Sequence, residues 1–481
     1  MKLYFSNFIL LTFFTGTICQ ISKSFLKFDP IQSLVFVDPT NLLRRSPFFF
    51  EILPFYIKNT SKASITEYFL PFSKCSLLTA ENNSPDASIR DVNAIHLNID
   101  FTNNLFDSIT SFRPEYKNVG LLMHINSFFR KRFWVDAILP FSRLQTNMNL
   151  SEDVINTGQG LVSGAVSNVT EAFKQSSWNY GKIDGARCKG GLNDIDCKIG
   201  STFETLNFSA YPFIGIIIPT GNKPTSEYVF EPIIGNTKHF AVRLGIINFY
   251  QPCPDECIQK SPTFYLDFDF FYSFKNTQNR ILDLIDKDWS RYMIVYTSQQ
   301  DALKAFDNAG NPAAGDKGQP GINSFTQKVI VSPGISFQST FRMWFIKNCL
   351  KNEFGLSVYF KERERICLNC NNNFNSIALV GTAGSGTTTD ARTINYNYVG
   401  TKTNNMEDDR INEGTYASLT NSDFNLDSAS TPASLSLTLF YKIQYFYKEF
   451  RFNLATSYKF SVSSNVPPNL ISIWGGLTYD F

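Results

Sequence analysis

Residues 263–274 read TFYLDFDFFYSF, and their spacing decides the fold. Phe264, Leu266, Phe268, Phe270, Tyr272 and Phe274 share one parity, while Thr263, Tyr265, Asp267, Asp269 and Ser273 share the other. Successive strand residues point to opposite faces, so this stretch has one greasy face and one largely hydrophilic face. The pattern recurs along the chain. In AIHLNIDF (94–101), Ile95, Leu97, Ile99 and Phe101 oppose His96, Asn98 and Asp100. In SLSLTLFYKIQYFY (434–447), Leu435, Leu437, Leu439, Tyr441, Ile443 and Tyr445 oppose Ser434, Ser436, Thr438, Lys442 and Gln444. RFNLATSYKFSV (451–462) sets Phe452, Leu454, Tyr458 and Phe460 against Arg451, Asn453, Ser457 and Lys459. SFQSTFRMWF (336–345), GLSVYFKE (355–362) and ISIWGGLTYDF (471–481) behave alike.

Each run is about the length a tilted strand needs to cross a bilayer, roughly 9–11 residues. No water inside a bilayer satisfies a bare peptide group, so a spanning sheet must close on itself. Further strands are expected at 46–58, 117–129, 132–143, 192–206, 208–219, 238–250 and 288–297. The fold expected is all-β: an antiparallel transmembrane β-barrel of about 12–14 strands over residues 20–481, with one short helical insertion. That insertion is 151–178, where Val162, Val166, Val169 and Phe173 make one apolar helical stripe. The stretches 299–325 and 366–432 are rich in Asn, Thr, Gly, Asp and Ser and are expected as long extracellular loops. The tight connections at 347–353 and 447–450 are expected at the opposite end. Counted back from a periplasmic C-terminus, 151–178 falls on the periplasmic side, where connections should be short: either the strand count is off by one, or the segment is a partial plug or a helix packed on the rim.

The first twenty residues, MKLYFSNFILLTFFTGTICQ, place Lys2 before an apolar run from Phe8 to Phe14 and then small residues. That is the layout of a secretory signal, with cleavage expected after Cys19. Eight of the nine cysteines then remain. In an exported chain Cys188/Cys197, Cys253/Cys257 and Cys367/Cys370 are candidate disulfides, and a zinc site from the last two pairs is the weaker use. Lys and Arg number 44 against 42 Asp and Glu, interspersed, which argues against nucleic acid as a partner. The 47 Phe and 21 Tyr suit a sheet with an aromatic exterior better than a soluble core.

Little in the chain suggests catalysis or a cofactor. The glycine-rich stretch 376–389 has Thr387 where a phosphate-binding loop needs lysine, no Gly-x-Ser-x-Gly elbow occurs, and three histidines are too few for a His-rich metal site. No enzyme, cofactor or metal is therefore expected. The residues expected to line the lumen are His96, Asn98, Asp100, Arg243, Asp267, Asp269, Arg342, Lys361, Lys442, Gln444, Arg451, Asn453 and Lys459. Mixed charges along a wet pore tune which solutes pass. The expected function is an outer-membrane channel for passive diffusion of small solutes. The alternative is a surface or adhesion barrel that acts through its long loops without transport. The solute and the oligomeric state are not legible.

Two resemblances add to this reading. Leu477, Tyr479 and the terminal Phe481 resemble the signal by which bacterial outer-membrane proteins are recognised for assembly. That resemblance implies insertion into outer-membrane lipid by a barrel-assembly machinery. GGLNDIDCKIG (190–200) followed by YPFIGIIIPTGN (211–222) resembles the outer-membrane transporters typified by meta-pathway phenol-degradation-like proteins. A Gly-Leu-x-Asp-Ile strand in that family precedes one ending in Pro-Thr-Gly, here Gly191–Ile195 and Pro219–Gly221, although Asn193 stands where glycine is common. The likeness is clear over 190–275 and looser over the last three strands. It implies a channel for small molecules, hydrophobic ones included. Replacing Phe481 by serine, or removing it, is expected to lower the amount of protein in the outer-membrane fraction; unchanged levels in both variants would refute the assembly role.

Overall fold

The computed structural model describes residues 22–28, 36–39, 42–43, 47–71, 74–129, 132–252, 262–285, 287–297, 318–368, 419–462 and 469–480. Among these, twelve antiparallel strands close into a barrel. In chain order they are β1 (Phe48–Asn59), β2 (Glu115–Phe129), β3 (Phe133–Asn147) and β4. The last of these runs as Arg187–Leu192 and, after a break at Asn193 and Asp194, as Ile195–Ser201. Next come β5 (Phe208–Ile218), β6 (Ala241–Tyr250), β7 (Thr263–Ser273) and β8 (Gly334–Lys347). The circuit ends with β9 (Leu350–Lys361), β10 (Ser434–Tyr447), β11 (Phe450–Ser461) and β12 (Leu470–Asp480). Each strand pairs with its successor, and β12 returns to β1 with Tyr479 opposite Phe50 and Ser472 opposite Ile57.

Burial in the barrel is inverted relative to a soluble protein. Along β7, Tyr265, Asp267 and Asp269 are buried, whereas Leu266, Phe268, Phe270 and Tyr272 are exposed. Leu454, Leu244 and Ile214 are 63%, 61% and 60% exposed. A continuous apolar exterior of that kind around a closed sheet is stable only against lipid. The architecture is therefore that of a transmembrane β-barrel.

The inner wall shows how the sheet curves. Phe55 lies over Gly120, Phe213 over Gly245, Phe440 over Gly355 and Trp134 over Gly200, each ring opposite a glycine of the neighbouring strand. A Cβ on Gly355 would stand 2.0 Å from Phe440 Cζ. The missing side chains let large rings lie flat inside a narrow tube, a cross-strand pairing that also pins register.

The two ends differ in the lengths of their connections. The links 348–349 and 448–449 are tight, and β1 starts and β12 ends on their side. The opposite end carries 60–114, 148–186, 219–240, 274–333 and 362–433. Described parts of these loops form four small sheets, two of which have more than two strands. One joins Ser76–Ala80, Val92–Asn93, Asp107–Phe112 and Leu150–Asn156; the other joins Asn276–Ile281, Thr326–Ser332 and Arg365–Leu368. Between them lies an aromatic core in which Trp178 stacks on Tyr292 at 5.0 Å and Phe173 meets Tyr292 edge-on at 5.4 Å.

Three expectations are corrected. Residues 94–101 are not a barrel strand: Ala94–Leu97 form a 3-10 turn that ends on Asn98 in the left-handed region, at φ 63°. His96, Asn98 and Asp100 thus belong to the loop cap and not to the lumen wall. Residues 288–297 are not a barrel strand either. Trp289, Tyr292, Met293, Val295 and Tyr296 are all buried in the cap, so no alternation survives. With 288–297 removed from the strand count, 151–178 lies on the long-loop side. Nor is 151–178 one helix. It holds the strand Leu150–Asn156 and a single helical turn, Val169–Ala172, whose first N–H groups donate to Glu152 at 2.9 and 2.8 Å. Gly160 and Gly164 between them take φ of 70° and 83°, which breaks any helix. The signal segment, Phe481, residues 376–389 and most of 299–325 and 366–432 lie outside the described residues.

Gly355→Val is expected to lower the fraction of folded barrel, read as heat-modifiable migration on gels, because overpacking forces Phe440 off its glycine. Leu356→Val, on the outer face, is expected to leave that fraction unchanged. Equal folding of the two variants would contradict the ring-on-glycine account.

Candidate functional site

A barrel that accepts charged side chains on its inner wall must pair them, since an ion buried alone is costly. Here the pairing runs around the whole circumference. Glu51 of β1 accepts from Thr478 Oγ1 of β12 at 3.2 Å and from Asn453 Nδ2 of β11 at 3.3 Å. His124 of β2 bridges Glu51 at 3.4 Å and Asp136 of β3 at 2.5 Å. Lys198 of β4 lies 3.4 Å from Asp136 and 3.6 Å from Asp196 of its own strand. Arg243 of β6 then forks between Asp196 and Asp269 of β7. Asp267 of β7 accepts from Tyr265 Oη at 2.6 Å and from the Thr340 N–H of β8 at 2.7 Å. Arg342 of β8 donates to Glu353 of β9 at 2.6 Å, and Lys351 lies 2.9 Å from the other Glu353 oxygen. The place of β5 in the belt is Gly215, where a Cβ would stand 3.2 Å from Lys198 Cγ and 3.6 Å from Arg243 Cβ.

The circuit is completed from outside the barrel wall, by Asp38. Its carboxylate lies 3.3 Å from Lys351 Nζ, accepts from Gln444 Nε2 of β10 at 2.8 Å, and stands 3.9 Å from Lys442 and 3.7 Å from Arg451. Asp38 belongs to the segment ahead of β1, and its own N–H reaches Glu51 at 3.4 Å. The described residues of that segment, 22–28, 36–39 and 42–43, contact the inner wall at successive heights. At the long-loop end the Lys23 N–H donates to Tyr68 O at 2.9 Å, and Arg280 lies 3.3 Å over the Phe25 ring. Phe28 stacks on Tyr116 at 3.8 Å. Phe36 packs against Phe55 and, at 4.6 Å, against Trp474 on the inner wall. Leu42 sits among Trp134, Tyr211, Phe249 and Trp344, and its carbonyl accepts from Tyr211 Oη at 3.3 Å.

Above the belt lies a cavity of about 110 Å3, room for several waters or a small solute. Arg243 and Asp196 of the belt reach into it. Ile138, Pro140, Ile217, Ile234 and Phe271 give it apolar walls, while Asn118, Ser142, Lys361 and Glu364 give it polar ones. Lys27 and Phe28 of the N-terminal segment border it too. Glu364, just past the end of β9, is also 3.4 Å from Arg280. Burial opposes its charge, yet Arg280, Lys361 and Lys27 hold its carboxyl well below the usual range.

Of the residues expected in the lumen, the structure brings Arg243, Asp267, Asp269, Arg342, Lys442, Gln444, Arg451 and Asn453 into one belt. Lys361 borders the cavity, and Lys459 lies 5.7 Å over the Tyr359 ring. Sequence reasoning missed Glu51, His124, Asp136, Asp196, Lys198, Lys351 and Glu353, although parity within each strand could have found them. Nothing could have flagged Asp38, which lies in no strand. Leu477 is exposed on the outer face, and Tyr479 packs on Phe450 at 5.0 Å.

The cysteine expectation does not hold where it is visible. Cys188 and Cys197 occupy the two halves of β4, opposite Gln145 and Ala137, roughly 25 Å apart at about 3.3 Å per residue. Both are free, and no disulfide spans that distance. Cys367 is free and exposed, and Cys253, Cys257 and Cys370 lie outside the described residues. Among the described residues no group of three or more His, Cys, Asp or Glu side chains could hold a metal ion.

Removing Arg243 leaves Asp196 and Asp269 buried together without a shared cation. Arg243→Ala is expected to lower stability by about 3–5 kcal/mol in urea unfolding of the detergent-solubilised barrel. A loss under about 1 kcal/mol would mean that the belt is solvated and not paired.

No family model matches this chain, and no curated protein matches it. Several solved structures share a likeness. One is an outer-membrane channel from Pseudomonas putida F1, at 10% identity and TM-score 0.38, covering 95% of this chain and 100% of that one. A FadL homologue from Pseudomonas aeruginosa shares 8% identity at TM-score 0.31, over 96% of each chain. A deltaS2S3 mutant of TodX, a monoaromatic hydrocarbon channel, shares 10% identity at TM-score 0.30, over 97% of this chain and 99% of that one. At TM-scores this low the likeness carries no argument about what this chain does.

Proposed function

We propose that the protein is an outer-membrane channel for small solutes, closed at rest by its own N-terminal segment. The observation that carries this reading is the cavity above the belt, bordered by Lys27 and Phe28 of the segment ahead of β1. A solute-sized space with mixed walls suits small amphipathic molecules, hydrophobic ones included. Below that space Asp38 and Leu42 take up room that a pore would need.

Displacing the segment does not require unzipping the barrel. Among the described residues, 36–39 and 42–43 join no strand ladder. They are held by the Asp38 ion pairs, by ring contacts of Phe36 and by the apolar seat of Leu42. Moving them would leave the twelve-strand sheet intact, so passage by diffusion through the opened lumen needs only local rearrangement. The charges then exposed on the belt would set which solutes pass.

A filled lumen is equally what a non-transporting surface barrel would show, and one experiment separates the two. In planar bilayers the intact protein is expected to show small or rare openings. A variant lacking residues 22–43, verified as folded by heat-modifiable migration, is expected to show a steady conductance several-fold larger. Asp38→Ala should fall between them. A folded deletion variant that stays silent would refute the channel and favour the surface role.

A further inference from the structure

Among the described residues, the long-loop rim of the outer face carries a cluster of cations in an otherwise apolar setting. At the long-loop ends of β5, β6, β7, β8, β9 and β12 the outward residues are Ile218, Val242, Tyr272, Ile335, Phe360 and Ile471, all exposed and none charged. On β1, β2 and β3 the outward residues at that end include Lys58, Lys117 and Arg143. Lys58 and Lys117 are direct cross-strand partners, and Arg143 is opposite Val119, one outward step below Lys117. Like charges placed opposite each other in a ladder repel, so this pairing needs a counter-charge. Glu115 supplies part of it, 3.3 Å from Lys58 and 2.9 Å from Lys117. One carboxylate does not balance two lysines and an arginine. Arg143 is exposed and makes no hydrogen bond, ion pair or ring contact among the described residues.

Their height matters as much as their charge. Phe48, Phe129 and Phe133 mark the short-turn end of these strands. Lys58 stands ten residues along β1 from Phe48, and Arg143 ten along β3 from Phe133. At about 3.3 Å per residue and a tilt of about 40°, that climb is roughly 25 Å, the height of the apolar band of such barrels. The three cations therefore stand at the outer headgroup level. Directly below them Tyr56, Val119 and Phe141 are 37%, 52% and 40% exposed, a surface fit for acyl chains.

We infer that this rim of β1–β3 is a binding site for the phosphate groups of a phosphorylated lipid in the outer leaflet. The site rests on the membrane-spanning reading of the barrel but not on conduction, so a silent channel would leave it standing. Arg143 provides a planar donor fork suited to phosphate, Lys58 and Lys117 provide point charges above it, and the apolar band below holds the chains. A free phosphate would find the charges but not the chains.

The test uses the full-length barrel in detergent, titrated with diphosphorylated lipid A, with dephosphorylated lipid A and with inorganic phosphate, bound lipid being counted by native mass spectrometry. Retention of the diphosphorylated lipid is expected, with little of the dephosphorylated one and no competition from millimolar inorganic phosphate. Arg143→Gln combined with Lys58→Gln and Lys117→Gln should weaken retention at least about tenfold. Arg143→Lys alone, which keeps the charge but loses the donor fork, should weaken retention less than the triple change. Heat-modifiable migration identifies folded variants, and Ile335→Gln on β8 serves as a rim substitution remote from the cations that should leave retention unchanged. Equal retention by the triple variant, equal retention of dephosphorylated lipid, or full competition by inorganic phosphate would each overturn the inference.

Discussion

A sheet in lipid cannot leave an edge open, because each unpaired N–H or C=O would sit in hydrocarbon with nothing to bond. The ladder between β1 and β12 removes both edges at once, and the other features of the molecule follow from that closure. A closed sheet has an inside and an outside, so alternation along each strand divides its residues between lipid and lumen. The outer set is free to be apolar. The inner set is confined to a tube, where side chains must fit around each other and buried charges must find partners. The ring-on-glycine pairs answer the first demand and the charge belt answers the second.

The belt also ties the fold to the site. Eleven strands supply a polar or charged side chain to it and β5 supplies a glycine, but Lys351, Lys442 and Arg451 are drawn together on Asp38, which the wall does not own. Three cations converging on one carboxylate give that short stretch a fixed position in the lumen. They also make it the one part of the belt that can leave without breaking a ladder. If Asp38 departs, the cations face a widened and wetter lumen, where water lowers the cost of leaving them unpaired. Cohesion at rest and access on displacement thus depend on the same contacts.

Much of the barrel was legible in the sequence because alternation is a property of each strand by itself. Asp267 and Asp269 announce their face through Phe268 and Phe270, whatever the partner strand is. Failures came where an apolar run was buried on all sides. Trp289 to Tyr296 look like a strand by composition, but tertiary packing in the loop cap decides their shape. AIHLNIDF alternates as well as any true strand, but Ala94–Leu97 form a 3-10 turn of period three that buries both His96 and Leu97. Long-range pairing was not legible at all. Asp38 sits far in sequence from Gln444 and Arg451, with no local pattern to mark it, and Cys188 and Cys197, near in sequence, are held apart because β4 begins at Arg187 and runs extended past both.

Phe36 and Asp38, ahead of β1, lie inside the lumen against the inner wall, and every other inference about the segment depends on this placement. It is tested most directly by replacing Phe36 with the photo-reactive aromatic p-benzoylphenylalanine and mapping adducts by mass spectrometry after irradiation of the folded protein. The account predicts adducts on the inner wall of β1 and β12, around Phe55 and Trp474, where the Phe36 ring now packs. Adducts confined to loop residues or solvent, with β1 and β12 unlabelled in a folded barrel, would contradict it.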